Sequence, residues 1–360
     1  MKKTSYLILL TVILLIAQNS FGQSAIFVKF VDSYVKANNF NGTILIRKNS
    51  KIYYAKSFGL ANFPFKVPNR IETKYKVASI TKAFTSVLIL QLVEQGKLEL
   101  NKTIKTYLPD YKGEAGDKVT VHQLLNHTSG MKNMDAVPGL DYVIKNGFPL
   151  YQTPYTSDQI LEKYASEKLS GVPGKAFDYN NADYIVLGKI IERVHGKSYE
   201  QVLKEKILQP LQMENSGMLY QPNIVANLAD TYFYRDETKT LTNDLPLYYE
   251  NMYAAGGMYS TANDVLKFSN ALFGFRLLRK ETLDRMFTSG LDEYGYGVWV
   301  YNDYEIKGKK YKIVKRPGRF MGAQSMLFHI LEADATIIIL TNTGTTSLDV
   351  FAAKIAKQIM

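Results

Sequence analysis

One stretch, VASITKAFTSVLILQLVEQGK at residues 77–97, constrains the fold more than any other part of the chain. Its apolar residues leave almost no polar face: Ala83, Phe84, Val87, Leu88, Leu90, Leu92 and Val93. A helix that is hydrophobic all round has to be buried within a larger core. The stretch therefore predicts a central helix with other elements packed around it. Lys82, one turn after Ser79, lies beside its most apolar part, where a lysine needs a specific reason.

The start of the chain has the pattern of a secretory signal peptide. A basic start, Lys2-Lys3, precedes an apolar run at residues 7–17, and Ser20-Phe21-Gly22 suits a cleavage site. The apolar run is shorter than the ~20 residues that a membrane span needs. An uncleaved N-terminal anchor is the alternative interpretation. We expect residues 1–22 to be removed, and residues 23–360 to be exported, periplasmic or secreted, without a stable membrane span.

Composition narrows the chemistry and the partners. The chain contains no cysteine, which excludes disulfides, thiolate nucleophiles and cysteine-based metal sites. It has 44 basic and 33 acidic residues, 44 − 33 = +11, or +9 once Lys2 and Lys3 are removed. This charge favours anionic surroundings such as membrane surfaces, polyanions or acidic substrates. Nucleic acid is not expected as a partner, because the basic residues are scattered and no nucleic-acid motif occurs.

Strand-like segments at both ends of the chain enclose a helix-rich middle. β-branched and aromatic runs between turn residues predict strands at 41–59, 294–301, 309–315, 323–330 and 335–343. Helical patterns occupy 25–38 and 347–359. We predict an α/β (α+β) fold: a mostly antiparallel sheet built from both chain ends and flanked by helices, with an inserted, mainly helical lobe. The sheet lobe would comprise about 25–78 and 290–360, and the helical lobe about 79–289.

Because the common catalytic and nucleotide-binding motifs are absent, serine–lysine chemistry is the remaining candidate. No GxSxG, HExxH, GxxxxGK or GxGxxG motif occurs, and the four histidines suit no standard metal site, so no metal or organic cofactor is expected. A serine becomes a good nucleophile when a base takes its proton, and a lysine can be that base if burial lowers its pKa. Residues i and i+3 of a helix share one face. Ser79 and Lys82 would combine this geometry with desolvation.

The Ser-x-x-Lys pattern is weak by itself, because it occurs three times: Ser33/Lys36, Ser79/Lys82 and Ser129/Lys132. Only Ser79 opens a long apolar helix. The alternative interpretation is that Ser79 caps the helix and Lys82 extends to the surface. A third proton-handling group is offered by FDYNNADY, where Tyr179 and Asn181 precede a helical pattern. The structural alternative is that Tyr179 packs and Asn181 caps.

The order of the motifs resembles that of the serine β-lactamase and penicillin-binding-protein superfamily: ASITK, LNHTSG, YNNADYIVLGKIIE, AAGGMYSTANDV, RPGRFMGAQSML and IIILTNTG. The branch that is most similar contains the class C β-lactamase-like serine hydrolases, which include DD-peptidases, β-lactamases, D-amino-acid peptidases and esterases. The resemblance runs from about residue 27 to about residue 345. It implies a β-lactamase/transpeptidase-like fold and hydrolysis through an acyl-enzyme.

The resemblance also implies roles for individual residues. Ser79 matches the acylated nucleophile, Lys82 its general-base partner, and Tyr179 the proton shuttle that activates the deacylating water. Asn181 matches the contact to a substrate amide. The backbone N–H groups of Ser79 and Arg319 would form the oxyanion hole. The His127 block looks structural and is given no catalytic role.

The third motif departs from the family, because Arg316-Pro317-Gly318 stands where Lys-Thr-Gly or His-x-Gly is usual. Gly318 keeps a close backbone approach, and the Arg316 fork would suit a substrate carboxylate. Pro317 removes a hydroxyl and a backbone donor. The substrate is expected to be a β-lactam, a D-Ala-D-Ala-type or other peptidoglycan-derived peptide, or a small ester or amide. The alternative is a peptidoglycan- or carboxylate-binding protein with weakened turnover. The sequence leaves open the oligomeric state and whether Lys82 or Tyr179 is the acylation base.

Overall fold

The computed structural model describes residues 25–235 and 237–360. The predicted signal peptide at residues 1–22 lies outside the described residues. The strands of the described chain are β1 (Gly42–Lys48), β2 (Lys51–Phe58), β3 (Leu60–Asn62), β4 (Val67–Pro68), β5 (Tyr75–Lys76), β6 (Gly217–Met218), β7 (Tyr232–Arg235), β8 (Thr240–Asn243), β9 (Met258–Ser260), β10 (Trp299–Ile306), β11 (Lys309–Phe320), β12 (Ala323–Ile330) and β13 (Ala335–Thr341).

Helices surround these strands. The α-helices are α1 (Ala25–Ala37), α2 (Thr81–Glu94), α3 (Ile104–Tyr107), α4 (Val121–Leu125), α5 (Leu140–Asn146), α6 (Pro149–Gln152), α7 (Ser157–Tyr164), α8 (Asn181–His195), α9 (Tyr199–Leu203), α10 (Tyr253–Gly256), α11 (Ala262–Phe273), α12 (Lys280–Met286) and α13 (Leu348–Ile359). Wider or tighter turns of helix occupy Ala78–Ile80, Glu114–Asp117, Lys204–Leu208, Tyr249–Met252 and Leu291–Glu293.

A six-stranded antiparallel sheet joins the two ends of the chain, in the order β10-β11-β12-β13-β1-β2. The central pairing is β1 with β13, where Ile44 lies opposite Ile339. Strands next to each other in sequence form hairpins, while β1 and β13 are brought together from opposite ends of the chain. This architecture confirms the predicted α/β class and the antiparallel sheet built from both ends.

Alternate residues of the sheet face two different cores, as the period of two in a strand requires. Ile44 and Ile46 of β1 pack with α1 and α13, while Leu45 between them packs with the helical middle of the chain. The sheet is therefore covered by helices on both faces. Strands buried on both faces read as continuous apolar runs, which is the pattern of β13.

The apolar stretch at residues 77–97 forms the centre of the larger core. Residues 81–90 of α2 are all buried, and the helix packs against α8 and α10. The ring of Phe84 stacks on that of Phe268 in α11, with 3.7 Å between centroids. The prediction of a central, fully surrounded helix is confirmed. The helix itself begins at Thr81, after a 3₁₀ turn at Ala78–Ile80 that contains Ser79.

Two sequence predictions need correction. The strand predicted at 294–301 begins only at Trp299. The strand predicted at 309–315 continues to Phe320, and so includes the third motif. Pro317 fits inside this strand, because a proline is tolerated where its nitrogen faces away from a neighbouring strand.

The middle of the chain also contains strands that the sequence analysis left unassigned, among them the β7–β8 hairpin. The division into a sheet lobe and a helical lobe stays a prediction. Within residues 25–235 and 237–360, no helix is both long enough and apolar enough to cross a lipid bilayer.

Candidate active site

Ser79 is presented by a strained turn at the start of α2. Ala78 before it has a φ of +45°, a region that residues with a side chain seldom adopt. The turn is held by a hydrogen bond from the Ile80 amide to the Val77 carbonyl (3.1 Å) and by one from the Thr81 hydroxyl to the Ala78 carbonyl (2.7 Å). Ser79 remains partly exposed between buried neighbours. Strain that is held in place in this way marks candidate functional sites.

Lys82 is completely buried, directly behind Ser79. Its ammonium nitrogen donates to Ser79 Oγ (3.2 Å), to Asn181 Oδ1 (2.5 Å) and to the backbone carbonyl of Ala255 (2.8 Å). Burial lowers the pKa of Lys82, and the charge of Arg316 lowers it further, against the opposing effect of Tyr179. The alternative in which Lys82 extends to the surface is therefore wrong. The cap alternative for Ser79 also fails, since neither the Ala78–Ile80 turn nor α2 has a side-chain cap.

The three contacts of Lys82 determine where the lone pair of its neutral form would point. A neutral lysine has two N–H donors and one lone pair, whereas the ammonium form has three donors. The Ala255 carbonyl and Asn181 Oδ1 can only accept hydrogen bonds, so they take the two N–H groups of the neutral form. The lone pair then points at Ser79 Oγ, the remaining partner. This arrangement suits removal of the serine proton.

Tyr179 reaches Ser79 from another side. Its hydroxyl donates to Ser79 Oγ at 2.8 Å. Burial would raise the pKa of Tyr179, but the charges of Arg316 and Lys82 outweigh it and lower this pKa to about 8. Its ring stacks on Trp299, with 5.8 Å between centroids. Tyr179 therefore has the position and the acidity of a second proton-handling group.

Arg316 is fully buried, and its guanidinium group contacts other protein groups rather than solvent. Nε donates to the Ser79 carbonyl (2.6 Å), Nη2 to the Tyr179 hydroxyl (2.5 Å) and Nη1 to the Tyr294 hydroxyl (3.1 Å). The expectation that its fork binds a substrate carboxylate is not supported, because these protein groups occupy both ends of the fork and a fully buried guanidinium is shielded from ligand. Its neighbour Lys315 points to the other face of the sheet, where it pairs with Asp349 at 2.7 Å.

The strand β11 passes very close to the Ser79 amide. A Cβ built on Gly318 would lie 2.4 Å from the Val77 carbonyl oxygen and 2.9 Å from the Ser79 nitrogen. The approach is fixed further by the Ser325 hydroxyl, which donates to the Val77 carbonyl at 2.7 Å. Only glycine allows two backbones to come so near.

The edge of β11 beside Ser79 is open. Pairing of β10 with β11 ends at Trp299 opposite Lys315, while pairing with β12 continues to Phe320. Residues two apart in a strand direct their N–H groups to the same side. Pro317 has no N–H to donate, yet the pairing of β11 with β12 continues past it. The nitrogen of Pro317 therefore lies on the open side of the strand, and the N–H of Arg319 points to the same side. In the part of the chain that the structure describes, no strand covers this edge. The Arg319 amide is thus directed to the open side of the strand, where the sequence predicts an oxyanion hole.

Asn181 is held by Asp135, a residue that the sequence analysis missed. Asn181 Nδ2 donates to Asp135 Oδ2 at 2.5 Å, which turns Asn181 Oδ1 toward Lys82. The Tyr151 hydroxyl donates to the other carboxylate oxygen. Asp135 lies in a loop within a region where no pattern assigned structure. An acidic residue in such a loop carries no local signal, so only the three-dimensional contacts identify it.

His127 lies behind Tyr179, with 4.5 Å between ring centroids, and is fully buried. Its Nδ1 contacts Asp183 Oδ2 at 2.7 Å. Burial lowers the pKa of His127 and raises that of Asp183, which favours the neutral forms of both. The pair supports the tyrosine, in keeping with the structural interpretation of this block. Within the described residues, no group of three or more histidine, aspartate or glutamate side chains is arranged to bind a metal ion.

The other two Ser-x-x-Lys pairs are not assembled in this way. Ser33 and Lys36 are exposed on α1. Lys132 points into solvent, where it pairs with Glu167, while Ser129 Oγ accepts from a backbone amide.

Comparison with known proteins identifies the family. The profile of a family described as Beta-lactamase matches residues 27–359. The chain belongs to the β-lactamase family. A solved relative, the penicillin-binding protein from Bacillus halodurans, has a TM-score of 0.76 at 26% identity, covering 90% of this chain and 98% of that one. The β-lactamase/transpeptidase-like fold is thereby confirmed.

Two curated members of the β-lactamase family illustrate its range. PbpX of Bacillus subtilis (strain 168), which carries a penicillin-binding-protein name, is 31% identical over 271 residues, 75% of this chain and 64% of its own length. The teichoic acid D-alanine hydrolase of Staphylococcus aureus is 28% identical over 277 residues, 76% of this chain and 65% of its own length. The matched part of this β-lactamase-family chain thus spans slightly less than two thirds of each relative.

The close approach at Gly318 yields a first prediction. In this β-lactamase-family chain, Gly318→Ala should push β11 away from Ser79 and widen the predicted oxyanion hole. We expect labelling of Ser79 by a fluorophosphonate to slow about 10²- to 10³-fold, the usual cost of one oxyanion donor.

Gly171→Ala is the matched control. A Cβ there meets only the Gly130 Cα, at an ordinary 3.6 Å. Labelling of Gly318→Ala at the rate of the control would contradict an oxyanion hole at this strand.

Proposed function

We propose that this chain is an exported serine hydrolase that forms an acyl-enzyme on Ser79. The observation that carries the proposal is the contact set of Lys82. Two pure acceptors fix its N–H groups and leave its lone pair for Ser79 Oγ. Stability of the fold alone would not require a buried lysine that is directed at a partly exposed hydroxyl.

The proposed reaction has two halves. Lys82, with Tyr179 at 2.8 Å from the same oxygen, accepts the proton as Ser79 Oγ attacks the substrate carbonyl carbon. The carbonyl oxygen becomes negatively charged between the Ser79 and Arg319 amides. Tyr179 passes the proton to the leaving group. A water that is activated by Tyr179 then releases the acyl group, since the same proton path runs in both directions.

Arg316 is proposed to act through the other residues. Its positive charge lowers the pKa of Tyr179, and its hydrogen bond to the Ser79 carbonyl holds the turn that presents the nucleophile. It takes over the cation of the third motif, but from a buried position. This assignment replaces substrate binding by Arg316 with positioning of Tyr179 and Ser79.

The proposed substrates are esters or amides of D-alanine-type acyl groups in the cell envelope. The relative that is named a teichoic acid D-alanine hydrolase supports this class. Its polyanionic target also fits the net charge of +11, or +9 without Lys2 and Lys3. Efficient β-lactam turnover is not proposed, because Pro317 offers neither the hydroxyl nor the backbone donor that the usual third motif supplies. Export is proposed from the signal-peptide pattern of residues 1–22.

A substrate panel tests the proposal. Purified protein would be offered a chromogenic cephalosporin, a D-alanyl ester and a D-Ala-D-Ala peptide, with Ser79→Ala as the inactive control. We expect hydrolysis of the ester that Ser79→Ala abolishes. Affinity without turnover, unchanged in Ser79→Ala, would favour the alternative of a peptidoglycan- or carboxylate-binding protein.

A further inference from the structure

Asp135 is a partly exposed residue whose carboxylate lies one hydrogen bond from Asn181. Asp135, Asn181, Tyr179 and Ser79 are all partly exposed, whereas Lys82 behind them is fully buried. One contact, from Asn181 Nδ2 to Asp135 Oδ2, joins the carboxylate to the residue that contacts Lys82. Asp135 therefore lies within reach of a group that is bound next to the nucleophile.

The Asp135 carboxylate is incompletely satisfied. Tyr151 and Asn181 each donate one hydrogen bond to it, and a carboxylate has about four acceptor positions. Among the described residues, no lysine or arginine forms an ion pair with it, and the charge of Lys82 acts on its pKa without direct contact. Burial raises the pKa of Asp135, while those two hydrogen bonds and Lys82 hold it down. When Lys82 gives up its charge to act as the base, this influence is lost.

Asp135 also changes what Asn181 can bind. One N–H of the Asn181 amide points to the carboxylate, so a neutral carbonyl oxygen bound to the other N–H would lie beside an acceptor. Two acceptors with no proton between them repel each other. An ammonium group has the opposite preference, because it can donate to Asp135 and to other oxygens at the same time. Its charge would also favour the neutral form of Lys82.

We propose that Asp135 is a specificity-determining residue that selects acyl groups with a free α-ammonium group. The α-nitrogen of an α-amino acyl group is bonded to the carbon next to the attacked carbonyl, which keeps it close to Ser79 and Asn181. N-acylated substrates, such as the stem peptides of peptidoglycan, would place a neutral amide there. The inference rests on the hydrolase function proposed above and narrows it to unblocked aminoacyl esters and amides.

A matched substrate pair tests the selection. The substrates are the thiobenzyl esters of D-alanine and of N-acetyl-D-alanine, followed with a thiol reagent, which the cysteine-free protein does not consume. We expect the wild type to prefer the free amine in kcat/KM. Asp135→Asn should lower the ratio of the two kcat/KM values about 10- to 100-fold, the effect of one charge-assisted hydrogen bond.

Asp178→Asn is the matched control, since Asp178 is an exposed carboxylate close to the same loop. It removes the same charge and should leave the ratio unchanged. A purely structural Asp135 would slow both substrates together in Asp135→Asn. That result, or a wild-type preference for the N-acetyl ester, would overturn the proposal.

A binding measurement separates this inference from the hydrolase proposal. Ser79→Ala cannot be acylated, so calorimetry with D-alanine amide and N-acetyl-D-alanine amide reports recognition alone. We expect tighter binding of the free amine in Ser79→Ala, and loss of this preference in Ser79→Ala/Asp135→Asn. If the preference is present while the wild type hydrolyses neither ester, the hydrolase proposal fails and the recognition site stands. Equal affinity for both amides in Ser79→Ala would overturn the inference about Asp135.

Discussion

Lys82→Met is expected to lower kcat/KM for a D-alanyl ester by about 10²- to 10⁴-fold, the usual contribution of a positioned general base. Methionine fills similar space and removes both the lone pair and the charge. Some loss of thermal stability is expected, because Asn181 Oδ1 and the Ala255 carbonyl lose their donor. The measurement is steady-state kinetics, with thermal unfolding to show that the variant is folded.

Two further variants distinguish a base from a simple positive charge. Lys82→Arg keeps the charge but cannot lose a proton at ordinary pH, so it should be as inactive as Lys82→Met. Lys36→Met changes the exposed lysine of another Ser-x-x-Lys pair and should keep wild-type activity. Activity in Lys82→Arg close to that of the wild type would show that Lys82 acts by charge alone.

Arg316→Met is expected to shift the pH dependence of acylation upward. The charge of Arg316 helps to lower the pKa of Tyr179 to about 8. Without it, this pKa should rise toward the ordinary value of about 10, so the phenolate fraction at neutral pH falls by up to about 100-fold. The rate of Ser79 labelling should therefore rise with pH through about 8 in the wild type, and at a higher pH in the variant.

Lys315→Met provides the matched control, because this neighbouring lysine lies on the other face of the sheet. It should leave the pH profile unchanged. Arg316→Met leaves the Ser79 carbonyl and two tyrosine hydroxyls without a donor, so some loss of thermal stability is also expected. A lower rate with an unshifted pH profile would mean that Arg316 holds the turn but does not set the acidity of Tyr179.

The sequence predicted the main elements because their patterns are local. A helix without a polar face can only be buried, and alternating or continuous β-branched runs can only pair in a sheet. The α2 prediction and the β12 prediction at 323–330 agree with the structure for this reason. β11 was predicted to end at residue 315, but it continues through Pro317 and Gly318 to Phe320. Whether a proline interrupts a sheet depends on which side of the strand is open.

The site was predictable only where chemistry leaves a recognisable pattern. Ser79, Lys82, Tyr179 and Asn181 lie in ordered motifs, and the structure brings all four together around one hydroxyl. Their catalytic roles stay predictions that the variants above address.

Asp135 and Tyr294 could not be found in this way. They contact the site across sequence separations of 46 and 22 residues, through loops or segments without a pattern. The contacts of Arg316 were also beyond sequence reasoning. A position in a strand determines the face of the sheet from which a side chain projects. It does not determine whether the end of that side chain contacts a tyrosine or a ligand.

The most direct measurement is a mass spectrum of the acid-quenched protein after brief mixing with the D-alanyl thiobenzyl ester. The proposed mechanism predicts a mass increase of one D-alanyl group, located on the peptide that contains Ser79. The increase should be absent in Ser79→Ala and strongly reduced in Lys82→Met. Turnover of the ester with a stable adduct on another residue, or turnover that persists in Ser79→Ala, would contradict it.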